Sequence, residues 1–156
     1  MRTTLKTARR QPSKPFKGLA WVVFIGYSLF MIYLLFIGFS RSSRSDHRMY
    51  NVVPLKTIKG YIENYQYYNF DMWFINLFGN VAAFVPFGFL IPLLFPKVAR
   101  WGQVLRLFFG LLFIVEALQV AFKVGSFDVD DIILNVLGGL IGFAIYKARA
   151  RLQLKP

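Results

Sequence analysis

Four of the seven carboxylates of this 156-residue chain fall between positions 116 and 131, at Glu116, Asp128, Asp130 and Asp131. Gln119 and Asn135 lie with them, and Asn76 and Asn80 occur in an earlier apolar run. Carboxylates held close together exchange protons as acid and base or ligate a hard cation such as Mg²⁺, and primary amides beside them donate to a buried carboxylate. The surroundings are oil. A bare carboxylate in hydrocarbon costs about 2.5–3.5 kcal/mol on insertion scales, so Glu116 is expected to face a helix-bundle interior, paired or protonated.

Spacing sorts these residues onto helix faces. Asn76 and Asn80 are four apart, and Glu116 and Gln119 three apart on a stripe that Leu112 and Lys123 extend. Asp128, Asp131, Asn135, Gly138 and Gly142 follow intervals of 3, 4, 3 and 4, a face that begins acidic and ends in glycine. Its Gly138-x-x-x-Gly142 half lets another membrane helix approach closely.

The elements that must position them are membrane spans. Hydrophobic residues make up 56% of the chain and aromatics 19%, in blocks rather than alternating patterns. Residues Gly18 to Phe39, "GLAWVVFIGYSLFMIYLLFIGF", carry no charge and are long enough to cross about 30 Å of hydrocarbon. A cleaved signal peptide is the rival for that run, which exceeds the usual apolar core of about 7 to 15 residues. Further blocks run from about Met72 to Phe95, with Pro86 and Pro92 as tolerated kinks, from Val104 to Val124, and from Val129 to Tyr146. The expected fold is therefore an all-α integral membrane protein with four transmembrane helices in a compact bundle. A basic segment, residues 1–17, precedes a membrane domain at 18–146, and a basic tail covers 147–156.

Thirteen lysines and arginines fall on one side of these spans and six on the other, which predicts both termini in the cytoplasm. The loop from Ser40 to Asp71 and the turn "KVGSFDVDD" then face outward, and the tyrosine-rich "NVVPLKTIKGYIENYQYYNF" suits a segment lying along the headgroups. At 1.5 Å per residue, Asn80, Glu116 and Asn135 each lie roughly 10 Å below that outer surface.

Composition excludes several classes. Cysteine is absent and the one histidine, His47, sits in a polar loop, so disulfides, thiol chemistry, a Ser-His-Asp triad and a histidine-rich zinc site are not expected. The net charge of +12 gathers at the ends of apolar segments, where it suits anionic lipid rather than nucleic acid. No phosphate-binding glycine loop or membrane-hydrolase signature is present, and neither a cofactor nor a resident metal is expected. A structural account stands beside the functional one: polar residues also hold membrane helices together, and Asp128 and Asp130 suit N-terminal caps of the last helix. Asp131, on the Asn135 face, is the better site candidate.

The runs "NLFGNVAAFVPFGFLIPLLFP", "EALQ" and "FDVDDIILNVLGGLIGF", with "NVVPLKTI" as an Asn-x-x-Pro lead-in to the second span, resemble the VanZ-like family of small bacterial membrane proteins over about residues 51 to 146. Lys123 and Ser126 depart from the arginine-bearing turn of many relatives. By position, the family pattern marks Asn76, Asn80, Pro86, Gly88, Glu116, Gln119, Asp128, Asp131, Asn135, Gly138 and Gly142. The family is named for a protein that raises resistance to the lipoglycopeptide teicoplanin. The resemblance implies a small bacterial membrane protein and marks these positions without giving them a role. Because no enzyme signature is visible, the favoured expectation is a non-enzymatic protein of the bacterial plasma membrane, whose outward pocket of Asn76, Asn80, Glu116, Gln119, Asp128, Asp131 and Asn135 meets membrane lipids and a lipoglycopeptide or lipid-linked precursor. The alternative is an intramembrane enzyme acting on such a precursor through Glu116 and Asp131. A transporter is disfavoured by the apolar inner halves "GFLIPLL" and "LGGLIGFAIY".

Overall fold

A computed structural model describes residues 14–38 and 50–152. The expectations for His47, for residues 1–13 of the basic segment and for the first part of the outer loop lie outside the described residues.

Six α-helices form the described structure: α1 (Lys14–Phe36), α2 (Lys56–Glu63), α3 (Phe70–Phe74), α4 (Asn80–Leu94), α5 (Trp101–Ala121) and α6 (Val129–Leu152). A π-helical stretch, Ile75–Gly79, joins α3 to α4. Four segments, Phe16–Phe36, Ile75–Leu94, Trp101–Ala121 and Val129–Leu152, are long and apolar enough to cross a membrane, giving the four-span all-helical membrane protein expected. The last helix runs on through Leu152, past the expected boundary at Tyr146. Arginines interrupt hydropathy but are good helix formers, so "KARARL" continues the helix past the last apolar residues. There the Arg149 guanidinium lies 4.7 Å from the centroid of the Phe16 ring and ties the end of α6 to the start of α1.

The bundle is built around α4 and α6. A Cβ added to Gly138 would run into the carbonyl oxygen of Val81, and one added to Gly142 into that of Val85. At Gly88 the obstacle is the Gly139 carbonyl. In lipid, helix association draws on packing rather than on expulsion of water, and glycine allows the two backbones to touch. On α5, Val104, Phe108, Leu112, Glu116 and Gln119 are buried at intervals of 4, 4, 4 and 3, one face that is apolar until its final turns.

Helix α1 is peripheral. Ala20, Phe24, Tyr27, Met31 and Leu34 form its inward stripe, while Leu19, Val22 and Leu29 are more than 60% exposed, as lipid-facing residues are. The Tyr27 hydroxyl donates to the Ala83 carbonyl of α4 at 2.9 Å. Near it, Pro86 lacks the N–H that would otherwise bond the Ala82 carbonyl.

The link between α1 and α4 is structured beyond residue 50. Lys56–Glu63 forms the amphipathic α2, with Lys56 and Lys59 exposed beside Ile62, followed by a 3₁₀ turn at Tyr65–Tyr67. Trp73 Nε1 donates to the Tyr61 carbonyl at 3.0 Å and so folds this segment back on the start of the second span. The "NVVPLKTI" motif leads into α2 and not directly into the span. Pro54 and the Asx-type bond from Val53 N–H to Asn51 Oδ1 (3.2 Å) turn the chain there, before a new helix begins.

Candidate functional site: the acidic end of the bundle

The α5–α6 turn and the lead-in to α2 meet at one end of the bundle. Asn51 pairs with Asp128 in an isolated parallel bridge, its N–H donating to the Phe127 carbonyl at 2.8 Å and its carbonyl accepting from Val129 N–H at 3.0 Å. The turn itself closes α5 with a Schellman pattern: Val124 N–H donates to Gln119 O at 2.9 Å and Lys123 N–H to Val120 O at 3.1 Å. Lys123 occupies the left-handed position that usually holds glycine, at φ 57°. Although sequence spacing puts Lys123 on the Glu116 stripe, it lies beyond the end of α5 and is exposed.

Asp128 and Asp130 are structural, each in a distinct way. Asp128 Oδ1 accepts from its own helix at Asp130 N–H (2.8 Å) and from Asn51 Nδ2 (2.9 Å), while Thr57 Oγ1 donates to Oδ2 at 2.7 Å. It therefore caps α6, as one of the two sequence alternatives holds, and also fastens the α2 lead-in. Asp130 does not cap α6. Its carboxylate is fully buried and caps α2 instead, with Leu55 N–H donating to Oδ1 at 2.5 Å and Thr57 and Ile58 N–H to Oδ2 at 2.7 and 3.1 Å. These are orphan donors of the first turn of α2, and their partial positive charge favours a carboxylate. Leu55, at φ 66°, is held in the left-handed region by this grip.

The remaining predicted residues lie further along the helices. Glu116 is 5% exposed, and its Oε2 accepts from Asp128 N–H at 3.2 Å, so α5 presents it to the first turn of α6. Asn80 Nδ2 donates to Asp131 Oδ1 at 2.8 Å and to its own helix at Asn76 O, 3.0 Å away, in the π-helical stretch. Such stretches leave carbonyls poorly served and recur at functional sites. Gln119 is buried but turns away from the acids, with Nε2 donating to the Leu35 carbonyl of α1 at 2.8 Å. Asn135 is 5% exposed, and its Oδ1 is buried without a hydrogen-bond partner among the described residues. A buried amide oxygen left in this way loses its hydration with nothing in return.

The structure thus brings Glu116 to Asp128 and Asn80 to Asp131, and sends Gln119 to α1. Sequence reasoning missed Asn51, Thr57 and the role of Asp130. The available signal was a turn motif followed by threonine and a fresh amphipathic run, which marks a helix start in need of an acceptor. Among the described residues, no group of three or more His, Cys, Asp or Glu side chains has a metal-binding arrangement.

The sequence profile of the VanZ/LLP1 family matches residues 24–151, which include all of these side chains. The chain belongs to this family. It is 34% identical over 76 residues to Protein VanZ of Enterococcus faecium, an alignment that covers 47% of this chain and 45% of that relative. The match thus spans about half the length of either protein. No solved structure matches the chain. As a VanZ/LLP1 protein it is a multi-pass membrane protein, with Gly88, Gly138 and Gly142 at its α4–α6 seam and Glu116, Asp128 and Asp131 at one end of that seam.

Proposed function

We propose that this protein works in the bacterial cell envelope without catalysis. In this reading a polar pocket at the outer membrane face binds or displaces an amphiphile and so contributes to resistance against teicoplanin-type lipoglycopeptides. The observation that carries the reading is the buried, unpartnered Oδ1 of Asn135, one helical turn below Asp131 on the same face of α6. Asp128 and Asp130 serve as helix caps, and Glu116, Asp131, Asn80 and Asn135 are the further polar side chains that would line the pocket.

Orientation rests on charge. Lys97, Arg100, Arg106, Lys147, Arg149 and Arg151 lie at the end opposite the acids, and six more basic residues precede Gly18, a bias that supports both termini in the cytoplasm. The acidic end and α2 then face outward.

The alternative reading, an intramembrane enzyme using Glu116 and Asp131 on a lipid-linked precursor, draws on the same two carboxylates and on the π-helical stretch beside them. The two readings part on turnover: an enzyme releases an altered lipid, whereas a binding protein returns it unchanged. The resistance claim is tested by growth of an expressing strain across a teicoplanin series, read beside protein level in the membrane. Glu116→Gln and Asp131→Asn are expected to abolish resistance at near-normal abundance. Full resistance in both variants refutes the charged pocket, and no resistance in the parent refutes the antibiotic role.

A further inference from the structure

Among the described residues, the end of the bundle opposite the acids carries only positive charge. Asp46, Glu63 and Asp71 belong to the link between the first two spans, and Glu116, Asp128, Asp130 and Asp131 to the acidic end, which accounts for all seven carboxylate side chains. Lys97, Arg100, Arg106, Lys147, Arg149 and Arg151 stand at the other end. The Arg106 side chain donates to Gly102 O of its own helix at 3.1 Å, and none of the six is ion-paired among the described residues.

Arg149 differs from the other five. It lies three residues inside the end of the membrane-long segment Val129–Leu152 and is half-buried. Its guanidinium rests over rings from two other helices, 4.7 Å from the Phe16 centroid on α1 and 5.7 Å from that of Phe89 on α4. Phe89 is five residues before the end of α4, about 7.5 Å along its axis, so the cation is held within the length of a span. Aromatic faces attract the charge but accept nothing from the fork of N–H donors, which has no hydrogen-bond partner among the described residues. A cation in that state inside a span is costly, and an anion with two acceptor oxygens is its complement. Ile145 and Ile141, four and eight residues earlier on the same side of α6, are 49% and 40% exposed and form an apolar track toward the guanidinium.

We propose that Arg149, seated on Phe16 and Phe89, binds the phosphate of an anionic phospholipid whose acyl chain lies along Ile145 and Ile141. A lipid brings phosphate to the end of a span without leaving the bilayer, and its chain uses the apolar track as a free phosphate does not. The other five cations of that end attract a headgroup of net negative charge and repel the ammonium of a zwitterionic one. The site lies at the opposite end from the proposed pocket and does not depend on it.

The test offers the full chain equal amounts of phosphatidylglycerol and phosphatidylcholine of the same acyl chains in mixed micelles, and counts the lipids retained by native mass spectrometry. Phosphatidylglycerol is expected to be retained about tenfold better, and Arg149→Gln to lower that ratio about fivefold, the share that one basic residue at a lipid surface sustains. Arg106→Gln removes a cation of the same end and is expected to lower it less than about twofold. Arg149→Lys keeps the charge and loses the fork, so its ratio should fall between those of the parent and Arg149→Gln, and it serves in place of the glutamine variant if that fails to fold. Equal retention of the two lipids by the parent overturns the proposal. So do equal losses in the Arg149 and Arg106 variants, which would make the preference a property of diffuse charge. In a last arm, inorganic phosphate is added at constant ionic strength: phosphatidylglycerol that stays bound supports a lipid site, and its release contradicts one.

Discussion

The two ends of the α4–α6 pair are joined by opposite means. Around Gly138, Gly139 and Gly142 the helices meet backbone to backbone, with no polar side chain between them. At Asp128 to Asp131 the same α6 binds its surroundings through carboxylates that accept from Asn51, Thr57, Asn80 and three N–H groups of the α2 turn. The glycine end depends on shape and tolerates no added volume. The acidic end depends on donors and acceptors, and is the part of the seam where a ligand could exchange one partner for another.

The largest effect is expected at the glycine end. Gly142→Leu would place its Cβ into the Val85 carbonyl and 2.9 Å from both Gly88 Cα and Phe89 N, all backbone that cannot step aside. A loss of about 3 kcal/mol or more is expected, seen as failure to recover folded protein in detergent. Gly110→Ala is the control, since nothing lies within 4 Å of an added Cβ there, and it should leave the yield unchanged. Unimpaired yield of Gly142→Leu would remove the backbone seam from the account.

Next comes Asp130→Ala, which strands the N–H groups of Leu55, Thr57 and Ile58. Hydrogen exchange at those three amides should accelerate by at least tenfold while the α4–α6 seam keeps its protection, about 2 kcal/mol of local stability being lost. Unaltered exchange at all three would show that α2 holds itself. Gln119→Leu should cost less, about 1 kcal/mol, because it frees only the Leu35 carbonyl of the peripheral α1. Lys123→Gly has the smallest expected effect and the opposite sign: a gain of about 0.5–1 kcal/mol in thermal unfolding, as the left-handed position stops straining a side chain.

This contrast also explains what the sequence discloses. The glycine seam and the buried stripe ending in Glu116 and Gln119 are helical periodicities, and periodicity is local, so both are readable from residues three or four apart. The clasp is not local: Thr57 and Asp130 are 73 positions apart, and nothing near Asp130 distinguishes a cap on its own helix from a cap on another. Likewise, no local signal shows that Gln119 donates across 84 positions to Leu35 O rather than to a nearby acid. The π-helical stretch escapes for a different reason, since Asn76 to Asn80 keeps a spacing of four whether the turn between them is α or π.

The central claim is a division of labour among the acids: Asp128 and Asp130 hold the fold, while Glu116 and Asp131 belong to the proposed pocket. Thermal unfolding of Asp128→Asn, Asp130→Asn, Glu116→Gln and Asp131→Asn, side by side in one detergent, tests it most directly. In Asp130→Asn the new amide nitrogen faces N–H groups that need an acceptor, and in Asp128→Asn one oxygen that accepts from Thr57 or from the α6 turn is lost. Both are expected to melt well below the parent. Glu116→Gln and Asp131→Asn should melt at or above it, because each removes a charge from a low-dielectric site and keeps a hydrogen-bonding oxygen. The reverse order, with Glu116 and Asp131 indispensable to stability and Asp128 and Asp130 dispensable, would contradict the account.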